Sequence, residues 1–363
     1  MSRILIVTNH SYMLYRFRKE LIAALLKDHE VLISTPFVGH EEDLKAMGCR
    51  CIETEVDRRG VNPKTDLKLL RFYGKLVKRE KPDLVITYSI KPNIYMGWVC
   101  AQRKIPYFAN VQGLGTAFQR KKLAAVVTGM YRTALKKAQA VFFENDSNAG
   151  EFLSRNIIKA EKVRVLSGAG IDLNTYDCRP YPKEKARHFL YLGRIMREKG
   201  MDEWFSALRR IKAEYGEQVV FDMVGFFEDE YKELTEQLQK EGVIAFHGFQ
   251  EEPRPYYEAA SCVVLPSYHE GMSNVLLEAA ATGRPIITSD IPGCRETVLD
   301  GKTGFLCPVK DAEGLYQQMK KVMELSDAQL EQMGRAGRAY MEERFEKSKV
   351  VRATLDILHQ VKF

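Results

Sequence analysis

The order of the sequence patterns constrains the fold of this chain more than its composition does. Short runs of β-branched and aromatic residues alternate with longer helical patterns from end to end. In the first half these short runs cover residues 4–8, 31–35, 84–89, 106–111, 140–144 and 163–166. In the second half they cover 189–193, 219–224, 243–247, 262–266, 285–289 and 305–309. Because strands joined by helical crossovers form parallel sheets, we predict an α/β chain with two Rossmann-like, doubly wound domains facing a cleft.

The division into two domains also follows from length, since 363 residues are enough for two domains of ordinary size. A stretch rich in proline and charge, residues 178–185, is the predicted hinge between domains at 1–177 and 186–346. A last helix within 347–363 can pack back on either domain, and we place it with the first.

Cysteine and histidine usage indicates no disulfide framework and no metal site. The seven cysteines are an odd set without a CxxC pair, and the seven histidines show no metal-ligand spacing. This pattern is typical of reduced thiols in a cytoplasmic protein. No run approaches the roughly 20 apolar residues that a membrane-spanning helix needs.

The net charge of +7 hides a strong asymmetry between the halves. Residues 1–180 hold 30 Lys and Arg against 18 Asp and Glu, whereas residues 181–363 hold 25 against 30. A basic half can meet nucleic acid, anionic lipid headgroups or a phosphorylated substrate. Since no nucleic-acid-binding motif is present, we expect no nucleic acid partner.

The segment 262–286 reads as strand, loop, helix, strand, and its loop holds Glu270 and Gly271. Ser273 or Asn274 can cap a helix that begins at about residue 275, and the start of such a helix can bind phosphate. Glu270 and Glu278 can accept hydrogen bonds from different hydroxyls of one ligand. The alternative is that Glu278 is an ordinary solvated helix residue, although its apolar neighbours favour burial.

A second segment, at 189–200, ends its strand in Gly193 and then carries two cations, Arg194 and Lys199. Glycine permits close approach of the backbone, and the two cations suit a diphosphate. The alternative is that both side chains are simply solvated. Both segments fall at the carboxyl ends of strands, where ligands bind in open α/β sheets.

These two segments resemble the donor-site motifs of the family 4 retaining glycosyltransferases, which have the GT-B fold. The matching elements are Gly193-Arg194 with Lys199-Gly200, and Glu270 with Glu278 eight residues later. The segments 168–172, 246–249 and 293–298 are similar to further motifs of that family. The resemblance implies that Arg194, Lys199 and Glu270 carry catalysis and that no cofactor or metal is required. It implies a donor site made of Gly193, Arg194, Lys199, Phe246, Glu270, Gly271, Met272, Ser273, Asn274 and Glu278.

Within the family, residues 88–93 and 110–115 look most like the transferases of capsule and lipid-linked oligosaccharide assembly. That implies transfer of a hexose or N-acetylhexosamine, from a nucleotide-diphospho-sugar such as a UDP-sugar, to a saccharide on undecaprenyl diphosphate. The loop 9–12 departs from the family by lacking Gly-Gly, and Gln112 stands where many members have His. The first domain would bind the acceptor, through His10, Tyr15, Arg16, Lys91, Gln112 and Gly113. Arg18 lies in position to approach the acceptor as well.

Two cationic clusters in the first half predict an anionic membrane surface as a partner. One is a basic helix with Lys64, Lys68, Arg71, Lys75, Lys78, Arg79 and Lys81, and the other combines 120–122 with Arg132, Lys136 and Lys137. The alternative is that lysines simply cover helix surfaces. With a polyprenyl acceptor, the enzyme would be peripheral on the inner face of the cell membrane.

Four alternatives to this transferase stay open at the level of sequence. A GT-B epimerase or phosphorylase, or a transferase with a non-lipid acceptor, would share the donor motifs. A non-catalytic binding module or a dinucleotide-dependent oxidoreductase would share the Rossmann units. Against the oxidoreductase, no G-x-G-x-x-G follows the first strand.

Overall fold

In the computed structural model the chain forms two compact units, and the structure describes residues 1–57, 62–115, 118 and 121–361, without the side chains of 121 and 122. The first unit comprises Met1–Ala169 and Ser348–Phe363, and the second comprises Gly170–Lys347. Each unit contains one parallel sheet with helices on its faces. The predicted α/β class is therefore confirmed.

The first unit has a seven-stranded parallel sheet in the order β3-β2-β1-β4-β5-β6-β7. Its strands are β1 (Ser2–Val7), β2 (His29–Thr35), β3 (Arg50–Glu53), β4 (Leu84–Tyr88), β5 (Tyr107–Val111), β6 (Ala140–Phe143) and β7 (Val163–Val165). Its helices are α1 (Ser11–Leu25), α2 (Glu41–Ala46), α3 (Pro63–Glu80), α4 (Ile90–Arg103), α5 (Lys121–Ala134), α6 (Asp146–Ser154) and α13 (Lys347–Leu358). The strand order reverses between β1 and β4, which makes their carboxyl ends the expected ligand-binding edge.

The second unit has a six-stranded parallel sheet in the order β10-β9-β8-β11-β12-β13. Its strands are β8 (Arg187–Leu192), β9 (Val219–Val224), β10 (Ala245–Phe246), β11 (Cys262–Leu265), β12 (Ile286–Ser289) and β13 (Gly304–Cys307). Its helices are α7 (Met201–Tyr215), α8 (Lys232–Lys240), α9 (Arg254–Ala259), α10 (Asn274–Ala281), α11 (Ala312–Glu324) and α12 (Asp327–Arg344). Here the order reverses between β8 and β11.

Alternation along β1 shows why both faces of the first sheet are covered. Leu5 and Val7 lie in a core formed with α3 to α6, whereas Ile4 and Ile6 lie in a core formed with α1, α2 and Leu358 of α13. Since successive side chains of a strand point to opposite faces, the apolar run Ile4–Val7 of β1 is buried on both faces of the sheet. Within the described residues, no helix is both long and apolar enough to cross a bilayer.

The division between the units falls at Ala169, before the predicted hinge at 178–185. The hinge segment belongs to the second unit because Tyr181 is buried in that unit's core and a buried arginine binds the preceding backbone. Arg284 is fully buried, and its guanidinium donates to the carbonyls of Arg179 and Pro180 at 3.2 and 2.8 Å. Carbonyls satisfied in this way hold the segment in place.

Candidate functional site

The loop after β11 carries the carboxylate of Glu270 into contact with a cation from another loop. Glu270 Oε1 accepts a hydrogen bond from Lys199 Nζ and another from the Ser267 hydroxyl at 2.9 Å. Both charged side chains are only 13% exposed. Among the described residues Oε2 of Glu270 has no partner, so it can accept from a hydroxyl of a ligand. Lys199 and Glu270, predicted from separate segments, thus form one ion pair at the edge where β8 and β11 end.

Arg194 lies in the loop after β8 and is less engaged than Lys199. Its guanidinium pairs with Glu228 at 2.9 Å and remains 43% exposed. The backbone of this loop is held by a buried side chain, because the Tyr191 hydroxyl donates to the carbonyl of Arg194 at 2.7 Å. Burial, and to a lesser degree the charge of Glu270, raises the pKa of Tyr191, which keeps that hydroxyl protonated as a donor. An exposed guanidinium held on a fixed backbone can exchange Glu228 for a phosphate.

Two glycines that sequence reasoning did not single out as site residues let the loops of this edge approach one another. Gly293 has φ +86°, and a Cβ there would lie 2.4 Å from the carbonyl oxygen of Gly271. Gly225 has φ +155°, and a Cβ there would lie 1.8 Å from the carbonyl oxygen of Gly193. Any side chain at either position would displace a loop that carries site residues. The signal for the first was the 293–298 motif, and no comparable sequence signal marked the second.

The start of α10 differs in detail from the prediction. The helix begins at Asn274, and Ser273 occupies the capping position without a side-chain capping bond. The backbone N–H of Ser273 donates instead to the carbonyl of Gly293 at 2.9 Å, and the Met272 side chain is buried in the core. The Ser273 amide is thus engaged within the protein, and the predicted place of Ser273 in the donor site stays a prediction. The first helical N–H groups, from Asn274 onward, are the ones that lack intrahelical acceptors.

Glu278, in the second turn of α10, is buried with 6% of its surface exposed. Its Oε2 accepts a hydrogen bond from the hydroxyl of Tyr257, on α9, at 2.8 Å. The alternative of an ordinary solvated helix residue does not hold. A carboxylate kept in such a place needs hydrogen-bond donors, which an internal tyrosine and the hydroxyls of a ligand can both supply.

Aromatic side chains at the ends of β9 and β10 divide into a packed pair and an exposed pair. Phe246, predicted to bind the donor, packs against Phe227 with ring centroids 5.1 Å apart. Phe226 and Phe249 are 43% and 55% exposed, and their rings lie 6.0 Å apart in an edge-to-face arrangement. Sequence reasoning missed this exposed pair, which offers a planar ring of a ligand a surface for stacking.

In the first unit the predicted acceptor residues near α1 each contact an aromatic ring of Tyr12 or His40. His10 precedes α1 without capping it, and its ring lies 6.1 Å from that of Tyr12. Tyr15 stacks on His40 at 4.4 Å. The Arg16 guanidinium lies 6.0 Å from the centre of the Tyr12 ring. These side chains form one aromatic and cationic surface after β1.

Two other cations of this unit, Lys91 and Arg18, are tied to carboxylate partners. Lys91 pairs with Asp66 at 2.7 Å. Arg18, expected to approach the acceptor, is instead buried and pairs with Glu144 at 2.8 Å. Gln112 lines a small recess together with Arg18, and Gly113 follows it in the same loop, half-buried. The pair with Glu144 compensates the buried charge of Arg18, and its expected approach to the acceptor stays a prediction.

Within the part of the chain that the structure describes, no group of three or more His, Cys, Asp or Glu is arranged to hold a metal ion. All seven cysteines are free. Burial raises the pKa of the Cys49 thiol to about 12 and that of Cys51 to about 11, so both are inert packing groups at neutral pH.

Comparison with known proteins adds relatives over most of the chain. The family model described as glycosyl transferases group 1 matches residues 179–340, and the one described as glycosyl transferase 4-like matches residues 3–145. The chain is 27% identical to an N,N'-diacetylbacillosaminyl-diphospho-undecaprenol alpha-1,3-N-acetylgalactosaminyltransferase of Campylobacter jejuni, over 86% of each protein. It is also 27% identical to the capsular polysaccharide biosynthesis glycosyltransferase CapM of Staphylococcus aureus, over 77% of each.

Among solved structures, HepE of Anabaena, in complex with UDP and glucose, superposes with a TM-score of 0.83 at 17% identity, over 99% of this chain and 100% of that one. Such a likeness shows the fold. With a match to a glycosyltransferase family in each of its two units, this chain belongs to the group 1, family 4-like glycosyltransferases and has the GT-B fold.

Proposed function

We propose that this glycosyltransferase moves a hexose or N-acetylhexosamine, with retention, from a UDP-sugar to a saccharide carried on undecaprenyl diphosphate. The observation that carries the proposal is the Lys199 and Glu270 pair beside the start of α10, where a cation, a carboxylate and unsatisfied N–H groups converge. The Campylobacter relative, whose name states a lipid-diphosphate-linked acceptor and an N-acetylgalactosaminyl donor group, supports the choice of substrates.

In this proposal Lys199, Arg194 and the first N–H groups of α10 stabilise the diphosphate as it leaves the sugar. Negative charge develops there in the transition state, and fixed positive groups in a partly buried site stabilise it without reorganising. Glu270 can then accept from a hydroxyl of the donor sugar and orient it. Because these groups can neutralise the charge of the diphosphate, we propose that the reaction requires no cofactor or metal. Activity that is retained in excess EDTA would support this proposal.

The nucleoside would lie nearer the β9 and β10 ends of the same unit. Glu278 suits the ribose hydroxyls, because its carboxylate is buried and already oriented by Tyr257. The exposed ring of Phe249 suits the base by stacking. A Phe249→Ala variant is therefore expected to weaken UDP binding. Leu299→Ala, which also removes an exposed apolar side chain of the same unit, serves as its control.

A cationic stripe on α3 supports a membrane-bound acceptor. Its members recur every three or four residues on the side of the helix opposite the buried one: Lys64, Lys68, Arg71, Lys75 and Lys78. All are exposed, and none has an ion-pair partner among the described residues. Each lysine or arginine near an anionic bilayer surface adds about 1 kcal/mol of attraction. We therefore propose that this face binds the inner leaflet of the cell membrane.

The second cationic cluster adds less to this proposal. Arg120 lies outside the described residues, as do the side chains of Lys121 and Lys122. Arg132 donates to the carbonyls of Arg155 and Asn156 at 2.8 and 3.0 Å, which gives it a structural role.

Charge reversal tests the stripe on α3. The triple variant Lys68→Glu, Arg71→Glu, Lys75→Glu is expected to lose most of its sedimentation with anionic liposomes at physiological salt. The matched control reverses Lys232, Lys240 and Lys302 of the second unit, which changes the net charge equally. Equal loss in both variants would mean that total charge, and not the face of α3, attracts the membrane.

The first experiment on function is calorimetric titration of UDP, GDP, ADP and NAD, repeated on an Arg194→Ala, Lys199→Ala variant. We expect UDP to bind and the variant to lose it. Transfer is then assayed from UDP-N-acetylgalactosamine to undecaprenyl-diphosphate-linked diacetylbacillosamine. Binding of NAD alone, or UDP binding that ignores the two substitutions, would contradict the donor site. Conversion of the UDP-sugar without an acceptor would indicate an epimerase instead.

A further inference from the structure

Ser89 holds an unusual backbone conformation at the switch point of the first sheet. It follows β4 with φ +73° and ψ 158°, a region populated almost only by glycine. A serine in this conformation is strained, and the surrounding structure must offset that strain. Such conformations concentrate at functional sites. The residue is half-buried, so a ligand can reach this edge.

The Ser89 hydroxyl does not cap α4, although Ser89 directly precedes this helix. Ser89 stands at the capping position, but its side chain makes no capping bond. The third helical residue is Pro92, which has no N–H for a serine to cap. The hydroxyl donates instead to Asn9 Oδ1 at 2.8 Å. Because Val7 pairs with Thr87 across β1 and β4, Asn9 and Ser89 stand at matching positions beyond the two strand ends.

This bond fixes the orientation of the Asn9 amide. With Oδ1 accepting from Ser89, Nδ2 is the group left to donate, and among the described residues it has no partner. Asn9 itself is half-buried. Next to it, the fully buried hydroxyl of Thr8 also lacks a partner in the described structure. The Asn9 Nδ2 and the Thr8 hydroxyl are therefore polar groups whose hydrogen bonds the described protein does not supply.

The charge at this edge indicates which part of a substrate would bind. Arg18, whose guanidinium lies 5.5 Å from the Tyr88 ring, is neutralised by Glu144, and Lys91 is neutralised by Asp66. Directly beside Ser89 lies a network of neutral groups, in which Asn93 donates to the carbonyl of Asn110 at 2.8 Å. Neutral amides and hydroxyls match the hydroxyls of a sugar better than they match a diphosphate.

We infer that Asn9 binds a hydroxyl or amide oxygen of the acceptor's sugar through Nδ2, and that Ser89 is the positioning residue that orients it. The inference rests on the proposed function, because it assigns the neutral part of the proposed acceptor. It adds Asn9 and Ser89, which were not among the residues predicted to bind the acceptor.

The decisive variant is Asn9→Asp. It keeps the oxygen that accepts from Ser89 but replaces the donor Nδ2 by a second acceptor, so a merely structural role of Asn9 would survive it. With UDP-N-acetylgalactosamine and the undecaprenyl-linked saccharide as substrates, we expect N9D and N9A each to raise the acceptor KM about tenfold. The donor KM and the affinity for UDP are expected to stay at the wild-type values. Ser34→Ala, which removes a buried hydroxyl pair with Thr54 at the same sheet edge, is the control.

Variants of Ser89 test the positioning role. Ser89→Ala keeps the strained backbone and loses the hydroxyl, whereas Ser89→Gly loses the hydroxyl and relieves the strain. Both should raise the acceptor KM, while S89G melts at or above the wild-type temperature and S89A below it. In the N9A background S89A should add nothing, because Ser89 acts through Asn9.

The outcomes separate this inference from the proposed function. Wild-type protein that transfers no sugar to the lipid-linked saccharide overturns the proposed function and this inference with it. Wild-type transfer with an unchanged acceptor KM in N9D overturns this inference alone. A rise in the donor KM instead, or an additive effect of S89A in the N9A background, also overturns it.

Discussion

At the scale of single residues, Glu270 carries most of the chemistry proposed for the second unit. Replacing Glu270 by Gln keeps its size but removes the charge paired with Lys199. Lys199 is then an uncompensated cation in a mostly buried place, which favours binding of an anion. We expect turnover to fall at least 100-fold while UDP binds as well as before or better, as measured by steady-state kinetics and calorimetry. Loss of UDP binding in E270Q would instead give Glu270 a role in shaping the site.

Gly293 tests whether close approach of the backbone is needed at the same site. A Cβ at this residue would lie 2.4 Å from the Gly271 carbonyl, and φ of +86° adds strain for alanine. Gly293→Ala is expected to destabilise the second unit by about 2 kcal/mol and to lower turnover more than tenfold by moving the Glu270 loop. Gly301→Ala is the control, since it shares a positive φ of +71° but meets open space. A G293A enzyme as active as G301A would show that the loop tolerates the displacement.

Candidate site residues could be predicted from the sequence where a motif indicates their chemistry. The side chains that pair with them could not be predicted. Glu270 and Lys199 could be found from their segments, but their ion pair depends on how two loops 71 positions apart meet. Arg18 is the reverse case. An arginine after the first strand suggests a ligand contact, and only the fold brings Glu144, 126 positions away, against it. Long-range pairing of this kind leaves no local pattern in the chain.

At the scale of secondary-structure elements, three adjacent strands of the second sheet share one titratable cluster. Asp222 on β9 accepts from His188 on β8 and from His247 just after β10, each at 2.8 Å. Burial alone would raise the pKa of Asp222, but the two imidazoles outweigh it and the pKa is lowered. The bond to Asp222 raises the pKa of His188 against the opposing effect of burial.

These shifts predict how the stability of the second unit depends on pH. A raised histidine pKa stabilises the fold below the ordinary value near 6.5 and stops doing so as pH rises through the folded value. A lowered aspartate pKa stabilises above its ordinary value near 4 and stops doing so in stronger acid. The cluster should therefore be most stabilising between about pH 4 and 6.5. We expect Asp222→Asn to cost about 2 kcal/mol at pH 5.5 and less at pH 8.5, measured by urea unfolding. An equal cost at both pH values would contradict the linkage.

Helices and strands could be predicted where the periodicity of apolar residues and the local composition indicate the same type of structure. The strand Val219–Val224 matches its predicted bounds, because its largely apolar run ends at a change of pattern. The strand Arg50–Glu53 was not predicted. It lies at the edge of the first sheet, with charged residues at both ends, and pairs only with β2. An edge strand needs little apolar surface, so its sequence lacks the usual signature.

At the scale of the whole molecule, charge follows the two units more sharply than the two halves of the sequence. Residues 1–169 and 348–363 hold 32 Lys and Arg against 17 Asp and Glu, whereas residues 170–347 hold 23 against 31. The asymmetry predicted from the sequence thus grows when the last helix is counted with the first unit. Under the proposed function, a basic unit suits a membrane-bound, anionic acceptor.

The return of the chain to the first unit makes that unit's stability depend on the last residues. Leu358 of α13 is 1% exposed and lies in the same core as Ile4 and Ile22. Leu358→Ala is expected to destabilise the first unit by about 3 kcal/mol, because it removes buried surface and leaves a cavity. Hydrogen exchange should become faster in β1, β2 and β4, which lie at least 270 positions away in sequence. Exchange in β8 to β13 and the affinity for UDP should stay unchanged. The exposed Asp356→Ala on the same helix is the control. Faster exchange in the second sheet would mean that α13 stabilises both units.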